Sequence, residues 1–160
     1  MSGLRSVRND LAENARATSV RVLDSVLVDA LDLTNGVRMA HWTVAGPQFA
    51  ALHALFGTFY ADLNIVTDDI AERIVQLGGT PSGTTQAIGV GTRLPPYPAE
   101  ARDGMAHVAL LADRYAAVAK AARAGIDATA EAGDADSADL LTGFSRTLDK
   151  ALWMLEAHQG

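Results

Sequence analysis

Apolar side chains recur every three to four residues along most of the chain, the spacing of amphipathic α-helices. On this basis four long helices are predicted, over residues 10–40, 47–77, 100–129 and 137–157. Glycine and proline mark the breaks between them: Gly46-Pro47 opens the second helix and Gly78-Gly79 ends it. The pattern predicts an all-α protein built as a four-helix bundle.

The segment from Gly78 to Pro98 is about 20 residues long and rich in glycine and proline. Extended, it can span roughly 66 Å, more than the ~45 Å length of the preceding helix. We therefore expect it to cross the bundle from end to end and to make the second and third long helices parallel. A short helical turn is expected within it, near Thr84 to Ile88.

The chain has 160 residues, of which 49% are hydrophobic, enough for one sizeable core. We expect a single domain over residues 1–160, with residues 1–9 as a short leader. No apolar run reaches the ~20 residues that cross a bilayer, and the N-terminus lacks an apolar signal region, so a cytoplasmic protein is expected. The absence of cysteine excludes disulfides and thiolate metal sites.

Polar groups on the predicted second helix share one side. At about 100° per residue, His53, Asp68 and Glu72 face roughly the same way. Asp68 and Glu72 are one turn apart, close enough to bind one cation together. His53, however, precedes Asp68 by 15 residues, roughly 22 Å along the axis, so no metal ion can touch both within one helix.

A second copy of this helix, antiparallel and crossing near residues 60–64, would bring His53 of one chain opposite Asp68 and Glu72 of the other. His41, just before the turn between the helices, is expected at the same end as His53. Two imidazoles and two carboxylates suit a divalent metal such as iron(II). The alternative is structural, since a lone histidine in a bundle usually packs and a helical D-x-x-x-E is usually a solvated face.

These residues lie in runs that resemble the Dps family, the miniferritins named as DNA-binding proteins from starved cells. The runs are A-H-W-T-V-A-G-P-Q-F-x-x-L-H and D-x-x-x-E-R-x-x-Q-L-G-G-x-P, followed by G-T-T-Q, A-D-R-Y-A and L-D-K-A-L-W-M-L-E. The resemblance spans Asn9 to Glu156. It implies a ferritin-like four-helix bundle that assembles as a hollow homo-dodecamer.

The resemblance also implies an activity, that of a ferroxidase. In this family iron(II) is oxidised at two-fold interfaces, preferably by hydrogen peroxide rather than dioxygen, and iron is stored inside as ferric oxide. His41 and His53 match the metal ligands of one subunit, and Asp68 and Glu72 match those of its partner. Trp42 matches the tryptophan beside the site.

One position departs from the family pattern. Four residues after the second histidine the family usually has aspartate, whereas this chain has Gly57. A glycine inside a helix costs about 1 kcal/mol relative to alanine and supplies no ligand. We therefore expect one strong iron position per site and a weak second one. The alternative explanation for Gly57 is close packing of two crossing helices. As a substitute for the missing aspartate, Asn64 is a weak ligand, and Asp62 and Asp69 face away.

Acidic residues without a neighbouring base cluster before the last helix: Glu131, Asp134, Asp136 and Asp139. Acids at a helix start interact favourably with the helix dipole, which is one explanation. The other is that three copies form a negative pore that draws iron(II) into the shell. The resemblance supports a pore entrance at Asp134, Asp136 and Asp139, with Asp139 at its narrowest point.

A net charge of −6 argues against general affinity for nucleic acid, because DNA binding depends largely on phosphate neutralisation. The leader carries only Arg5 and Arg8 and no lysine. The alternative function is nevertheless a structural protein of the nucleoid that binds and protects DNA with weak ferroxidase activity. A third alternative is a helical scaffold without metal.

Overall fold

The computed structural model describes residues 3–159, so Met1, Ser2 and Gly160 of the predicted domain lie outside it. Across residues 3–159 the chain forms five α-helices and no β-strand, which confirms the all-α prediction. The helices are α1 Glu13–Thr43, α2 Phe49–Gln76, α3 Thr85–Gly91, α4 Gly104–Glu131 and α5 Ala135–Glu156.

The first helix lies three residues further along the chain than predicted, at both ends. The Asn9 carboxamide accepts a hydrogen bond from the Leu11 amide at 3.0 Å, which forms a turn ahead of the helix instead of capping it. At the other end α1 continues to Thr43 and so includes His41 and Trp42. These two side chains are therefore positioned by regular helix rather than by a loop.

Two glycines in the left-handed region bound α2. Gly46 has φ 101° and Gly78 has φ 91°, values that only glycine adopts without strain. The Gly79 amide donates to the Ile74 carbonyl at 2.9 Å, the long hydrogen bond of a Schellman ending. The sequence prediction placed these two breaks correctly, although the first helical residue is Phe49 rather than Pro47.

The four long helices surround one continuous apolar core. α1 packs on α2 and α4, and α5 packs on α4 and α2. Full burial of one large aliphatic or aromatic side chain contributes roughly 1.5–3 kcal/mol. The largest fully buried side chains are Tyr115, Phe56, Phe144, Leu23, Leu27, Leu33, Leu52, Leu63, Ile70, Ile74, Leu77 and Leu111.

The segments that lead into α2 and α4 lie side by side. The Ala45 amide donates to the Arg102 carbonyl at 2.8 Å, and Ala45 and Asp103 form an isolated parallel bridge. Because both segments run in the same direction into their helices, α2 and α4 run parallel. The chain between them must therefore cross the length of the bundle, as predicted, and α3 is the short helix expected within it.

Carboxylates of α1 hold this crossover against the bundle. Asp24 accepts hydrogen bonds from the amide and the hydroxyl of Ser82, at 2.7 and 2.8 Å. Asp29, whose side chain is only 3% exposed, pairs with the Arg93 guanidinium at 2.6 Å and also accepts from the Arg93 amide. The buried charge is compensated, and the irregular segment is fixed at two points.

The start of α4 and a glycine within it are set by specific contacts. The helix begins at Gly104, four residues later than predicted, because the Asp103 carboxylate accepts from the Ala106 amide at 2.8 Å and caps it there. Gly125 is buried within the helix. A β-carbon at Gly125 would lie 2.8 Å from Leu141 Cδ1, so this glycine allows α4 and α5 to approach closely.

Within residues 3–159 α2 is long and apolar enough to cross a membrane, judged by length and composition alone. Only 22% of its most apolar window is buried by the rest of the chain. Core helices of bundles meet the same criterion. The exposed side of α2 includes Ile65, which is 65% exposed, and the carboxylates of Asp68 and Glu72.

Candidate metal centre

The turn between α1 and α2 brings His41 and His53 together, as the sequence predicted. Their rings stack with centroids 3.8 Å apart and an interplanar angle of 20°. Nδ1 of His41 lies 2.8 Å from the His53 carbonyl oxygen, and Nδ1 of His53 lies 2.8 Å from the His41 carbonyl oxygen. The two residues thus exchange a pair of side-chain to backbone hydrogen bonds.

This exchange determines which ring nitrogens can bind metal. A carbonyl oxygen only accepts, so each Nδ1 must carry the hydrogen and donate it. In the neutral imidazole the other nitrogen, Nε2, then keeps its lone pair. Metal-bound histidines in proteins are commonly held by such a bond from their second nitrogen. His41 and His53 therefore present two oriented Nε2 donors, which fit iron(II).

Aromatic side chains and one cation surround the histidine pair. The Phe49 ring stacks on His53 with centroids 5.2 Å apart. Trp42, one residue after His41, is 66% exposed. The Arg38 guanidinium lies 5.1 Å from the Trp42 ring centre and 5.9 Å from that of Tyr60, within range of cation–π attraction. This side of the pair is an open aromatic surface.

Gly57 faces the His41 ring of its own chain. A β-carbon built on Gly57 would lie 3.3 Å from His41 Cε1 and 3.4 Å from Nδ1. Contact between two crossing helices, the predicted alternative for this glycine, concerns a second subunit and stays a prediction. Within its own chain the glycine faces the imidazole. Glycine leaves room for the His41 ring as well as removing the aspartate.

The two carboxylates of the predicted site lie elsewhere on α2. Asp68 and Glu72 are exposed, and neither forms an ion pair with any residue from 3 to 159. The Asn64 amide, a weak substitute ligand, donates to the Tyr60 carbonyl at 2.7 Å. Within one chain, no three histidine, aspartate or glutamate side chains of the described part form a metal cluster.

The acids before α5 differ in their surroundings. Asp134 is 1% exposed, caps α5 by accepting from the Ser137 amide at 3.1 Å, and pairs with Arg73 at 2.8 Å. Burial raises the pKa of Asp134, but hydrogen bonds from Ser137 and Arg73 outweigh it and leave the pKa below its ordinary value. Asp136 and Asp139 have exposed carboxylates, so they alone of the three face solvent.

His107 carries a hydrogen-bond network that sequence reasoning missed. Its side chain is fully buried. Thr43 donates its hydroxyl hydrogen to the Met39 carbonyl, so it accepts from His107 Nε2 at 3.2 Å. His107 Nδ1 then accepts from the Tyr97 hydroxyl at 2.7 Å. Burial lowers the pKa of His107 and raises that of Tyr97 to about 12.

The surface of α5 carries an ion pair and an exposed aromatic ring. Asp149 pairs with Arg123 of α4 at 2.9 Å, where both side chains are about half exposed. Trp153 is 65% exposed and so does not belong to the core of the chain.

Comparisons with known proteins agree with this fold. A family model described as a ferritin-like domain matches residues 21–160. The DNA protection during starvation protein of Agrobacterium fabrum is 45% identical over 151 residues, which cover 94% of this chain and 93% of that protein.

Solved structures extend the likeness. The Dps of Mycobacterium smegmatis superposes with a TM-score of 0.91 at 29% identity, covering 96% of this chain and 93% of that one. The Dps protein of Vibrio cholerae, described as a member of a broad superfamily of ferritin-like diiron-carboxylate proteins, has a TM-score of 0.87 at 25% identity and covers 91% of both chains. By its sequence and its fold, this chain belongs to the Dps family of ferritin-like proteins.

Proposed function

We propose that this protein is a ferroxidase and an iron store. It oxidises iron(II) with hydrogen peroxide, or with dioxygen, at sites shared between two subunits. His41 and His53 of one subunit and Asp68 and Glu72 of its partner are the proposed ligands. Iron is substrate and stored cargo here, and its removal together with peroxide would limit hydroxyl-radical formation.

The observation that carries this proposal is the orientation of the two histidines. Both Nδ1 atoms are engaged by backbone carbonyls, which leaves both Nε2 atoms as donors at the same end of the bundle. Residues 3–159 of the same chain add no carboxylate there, while Asp68 and Glu72 lie exposed further along α2, with no ion pair among those residues. A symmetric contact between two copies of α2 would complete each half-site with the other.

The residues have distinct roles in the proposed reaction. The imidazoles bind iron(II) as neutral donors, and the carboxylates stabilise the higher charge of iron(III). Each peroxide accepts two electrons and two protons to give two molecules of water, so two iron(II) ions are oxidised for each peroxide consumed. Because residue 57 adds no carboxylate, the proposed centre holds one ion tightly and a second one weakly.

Storage requires an enclosed shell. The proposed assembly is the homo-dodecamer, in which ferric mineral is kept in the cavity. Asp139 and Asp136 have exposed carboxylates, and three copies around a pore would attract iron(II). Asp134 contributes to the same region chiefly as a buried cap. A cytoplasmic location, with association with the nucleoid as an alternative, is part of this proposal.

A subunit-mixing experiment tests the shared site. His53→Ala and Asp68→Asn variants are each expected to lose most iron oxidation. When the two variants are co-expressed, a mixed dimer has one centre with both changes and one centre with none. Random pairing should therefore restore about a quarter of wild-type activity, measured as ferric absorbance after iron(II) and peroxide are added.

The subunit-mixing experiment would give a different result if the site were not shared between subunits. If the ligands all came from one chain, each centre of a mixed assembly would carry one defect, and no activity would return. Asp69→Asn supplies the control, because Asp69 is an exposed acid on α2 outside the proposed ligand set. It should oxidise iron at the wild-type rate, alone or mixed.

DNA protection is the second candidate function, favoured by the name of the Agrobacterium relative. The leader gives it little support. The Arg5 amide donates to the Gly78 carbonyl at 2.8 Å and its guanidinium to the Val75 carbonyl at 3.0 Å, so this cation is partly engaged at the end of α2. A mobility-shift assay at physiological salt decides: retarded DNA with slow iron oxidation would favour the DNA role.

A further inference from the structure

A second concave site lies between α2 and α5, on a different side of α2 from His53. It is an open cavity of about 360 Å³, at the small end of the range of about 300–1,000 Å³ for ligand pockets. Its floor comes from α4. The lining residues are Thr58, Phe59, Asp62, Leu63, Ile65, Val66, Tyr115, Thr147, Lys150, Ala151 and Met154.

Tyr115 places an unpaired hydroxyl in this cavity. The residue is only 1% exposed, and its ring packs edge-on against Phe59 with centroids 5.6 Å apart. Its hydroxyl forms no hydrogen bond with any group of residues 3–159. Burial and, as the smaller cause, the charge of the Asp62 carboxylate raise the pKa of Tyr115, and both residues line the cavity. The oxygen is not among the buried unpaired polar atoms of residues 3–159, so it is open to the cavity and can bond to a ligand that enters.

The polar rim consists mainly of hydrogen-bond acceptors. Thr58 and Thr147 donate their hydroxyl hydrogens to backbone carbonyls one turn earlier, at 3.2 and 3.3 Å, which leaves the oxygens as acceptors. The Asp62 carboxylate is exposed and accepts only. Lys150 is the one cation among the lining residues, and it is exposed on a flexible stem that can extend into solvent.

We propose that this cavity binds a small amphipathic amine. The ammonium donates to the Asp62 carboxylate and to the Tyr115 hydroxyl oxygen, and the apolar tail lies along Phe59 and Met154. Ile65, which is 65% exposed in the free chain, borders the cavity and would be covered by such a tail. The site shares no residue with the proposed iron ligands, so the inference stands independently of the ferroxidase proposal.

Three ligands with one tail and different heads test the charge preference: n-octylamine, octan-1-ol and octanoate, each below its aggregation concentration. Binding to the intact assembly is followed by calorimetry. We expect the amine to bind about tenfold more tightly than octanol, and octanoate to bind most weakly. Octanoate binding as tight as the amine would assign the site to Lys150 and overturn the proposal, as would no measurable binding of any of the three.

Variants then locate the binding. Asp62→Asn should weaken the amine about tenfold and leave octanol within about twofold. The matched control is Asp69→Asn, an exposed acid on the same helix outside the lining, which should leave all three affinities unchanged. An equal loss in the two variants would mean general attraction of amines to an acidic surface, and would overturn the proposal.

The cavity can also be filled. Ala151→Trp should remove binding of the amine and of octanol, but Ala151 is buried and the variant can fail to fold. Thr58→Phe, at an exposed rim position, obstructs the same cavity from outside. An unchanged elution volume in size-exclusion chromatography would report intact assembly in either variant, and unchanged amine binding in Thr58→Phe would contradict the assignment.

Discussion

Gly57 lies directly against the imidazole of His41, so close that a β-carbon at residue 57 would stand 3.3 Å from Cε1 of the ring. The glycine therefore has two effects on the proposed centre. It supplies no carboxylate beside His53, and its lack of a side chain leaves room for the His41 ring. An acidic side chain at residue 57 would have to displace that ring by a few tenths of an ångström.

Titration of the metal-free assembly with iron(II) measures the first of these effects. We expect one tight ion per centre and a second that binds at least about tenfold more weakly. Gly57→Asp should strengthen the second ion. Gly57→Ala introduces the same contact with His41 without a carboxylate, so it should still show a single tight ion. Two equally tight ions in the wild-type protein would contradict the prediction.

The buried His107 predicts a pH-dependent stability. Its pKa is lowered by burial, so the folded state binds fewer protons than the unfolded state, and stability rises with pH. The contribution is complete above the unfolded pKa of about 6.5 and is lost as the pH falls from there toward the lower folded value. His107→Gln should be less stable at pH 7.5 and show a flatter profile down to about pH 5.

Urea midpoints at several pH values would check this, with His158→Gln as the control. His158 is exposed near the end of the chain, and its Nδ1 bonds to the Met154 carbonyl. The wild-type slope should survive in that variant. A slope that also survives in His107→Gln would assign the dependence to other groups.

Asp134 should matter more for stability than its neighbour Asp136. Asp134→Ala removes a helix cap and leaves the Arg73 guanidinium, 11% exposed, without its buried partner, at a cost of about 3 kcal/mol. Asp136 is 85% exposed and lies 3.7 Å from Arg73, so Asp136→Ala should cost less than about 1 kcal/mol. Equal denaturation midpoints for the two variants would argue against this assignment.

The Asp134 carboxylate also makes the stability of the fold depend on pH in acid solution. Because the pKa of Asp134 is lowered in the fold, its contribution is present above the unfolded carboxyl pKa of about 4 and is lost as the pH falls through the lower folded value. Asp134→Ala should therefore differ least from the wild-type protein in the most acidic solutions. A gap that stays constant from pH 7 to about pH 2 would be inconsistent with this.

Asp139→Asn should slow iron uptake without changing iron binding at the histidine centre, because it removes charge from the proposed pore. Stopped-flow ferric absorbance reports the uptake, and the titration described for Gly57 reports the binding. Asp113→Asn removes an exposed acid from α4 and serves as the control. Unchanged uptake in Asp139→Asn would count against the pore.

The helices and their order were predictable because burial of apolar side chains imposes the helical spacing on the sequence. Their exact ends were not, because caps decide them. Asn9 was a reasonable cap by residue type, yet its carboxamide forms a turn with Leu11 instead. Asp103, four residues into the predicted third helix, proved to be the cap that starts it.

The meeting of the two histidines was predictable, and its geometry was not. Residue type and spacing brought His41 and His53 to one end of the bundle, but the exchanged carbonyl bonds depend on side-chain rotation, which periodicity does not report. The contact between Gly57 and His41 follows from the same rotation. The hydrogen bonds of His107 to Thr43 and Tyr97 were not predictable, because a histidine in an apolar stretch of helix has the same spacing whether it faces a hydroxyl or solvent.

The attachment of the crossover to α1 bears on the centre as well. Ser82 binds Asp24 and Arg93 binds Asp29. These two acidic residues lie little more than one turn apart on α1. A slide of α1 along its own axis would have to break both attachments at once. A segment far from the histidines therefore limits how far His41 can move, along the axis of α1, relative to His53.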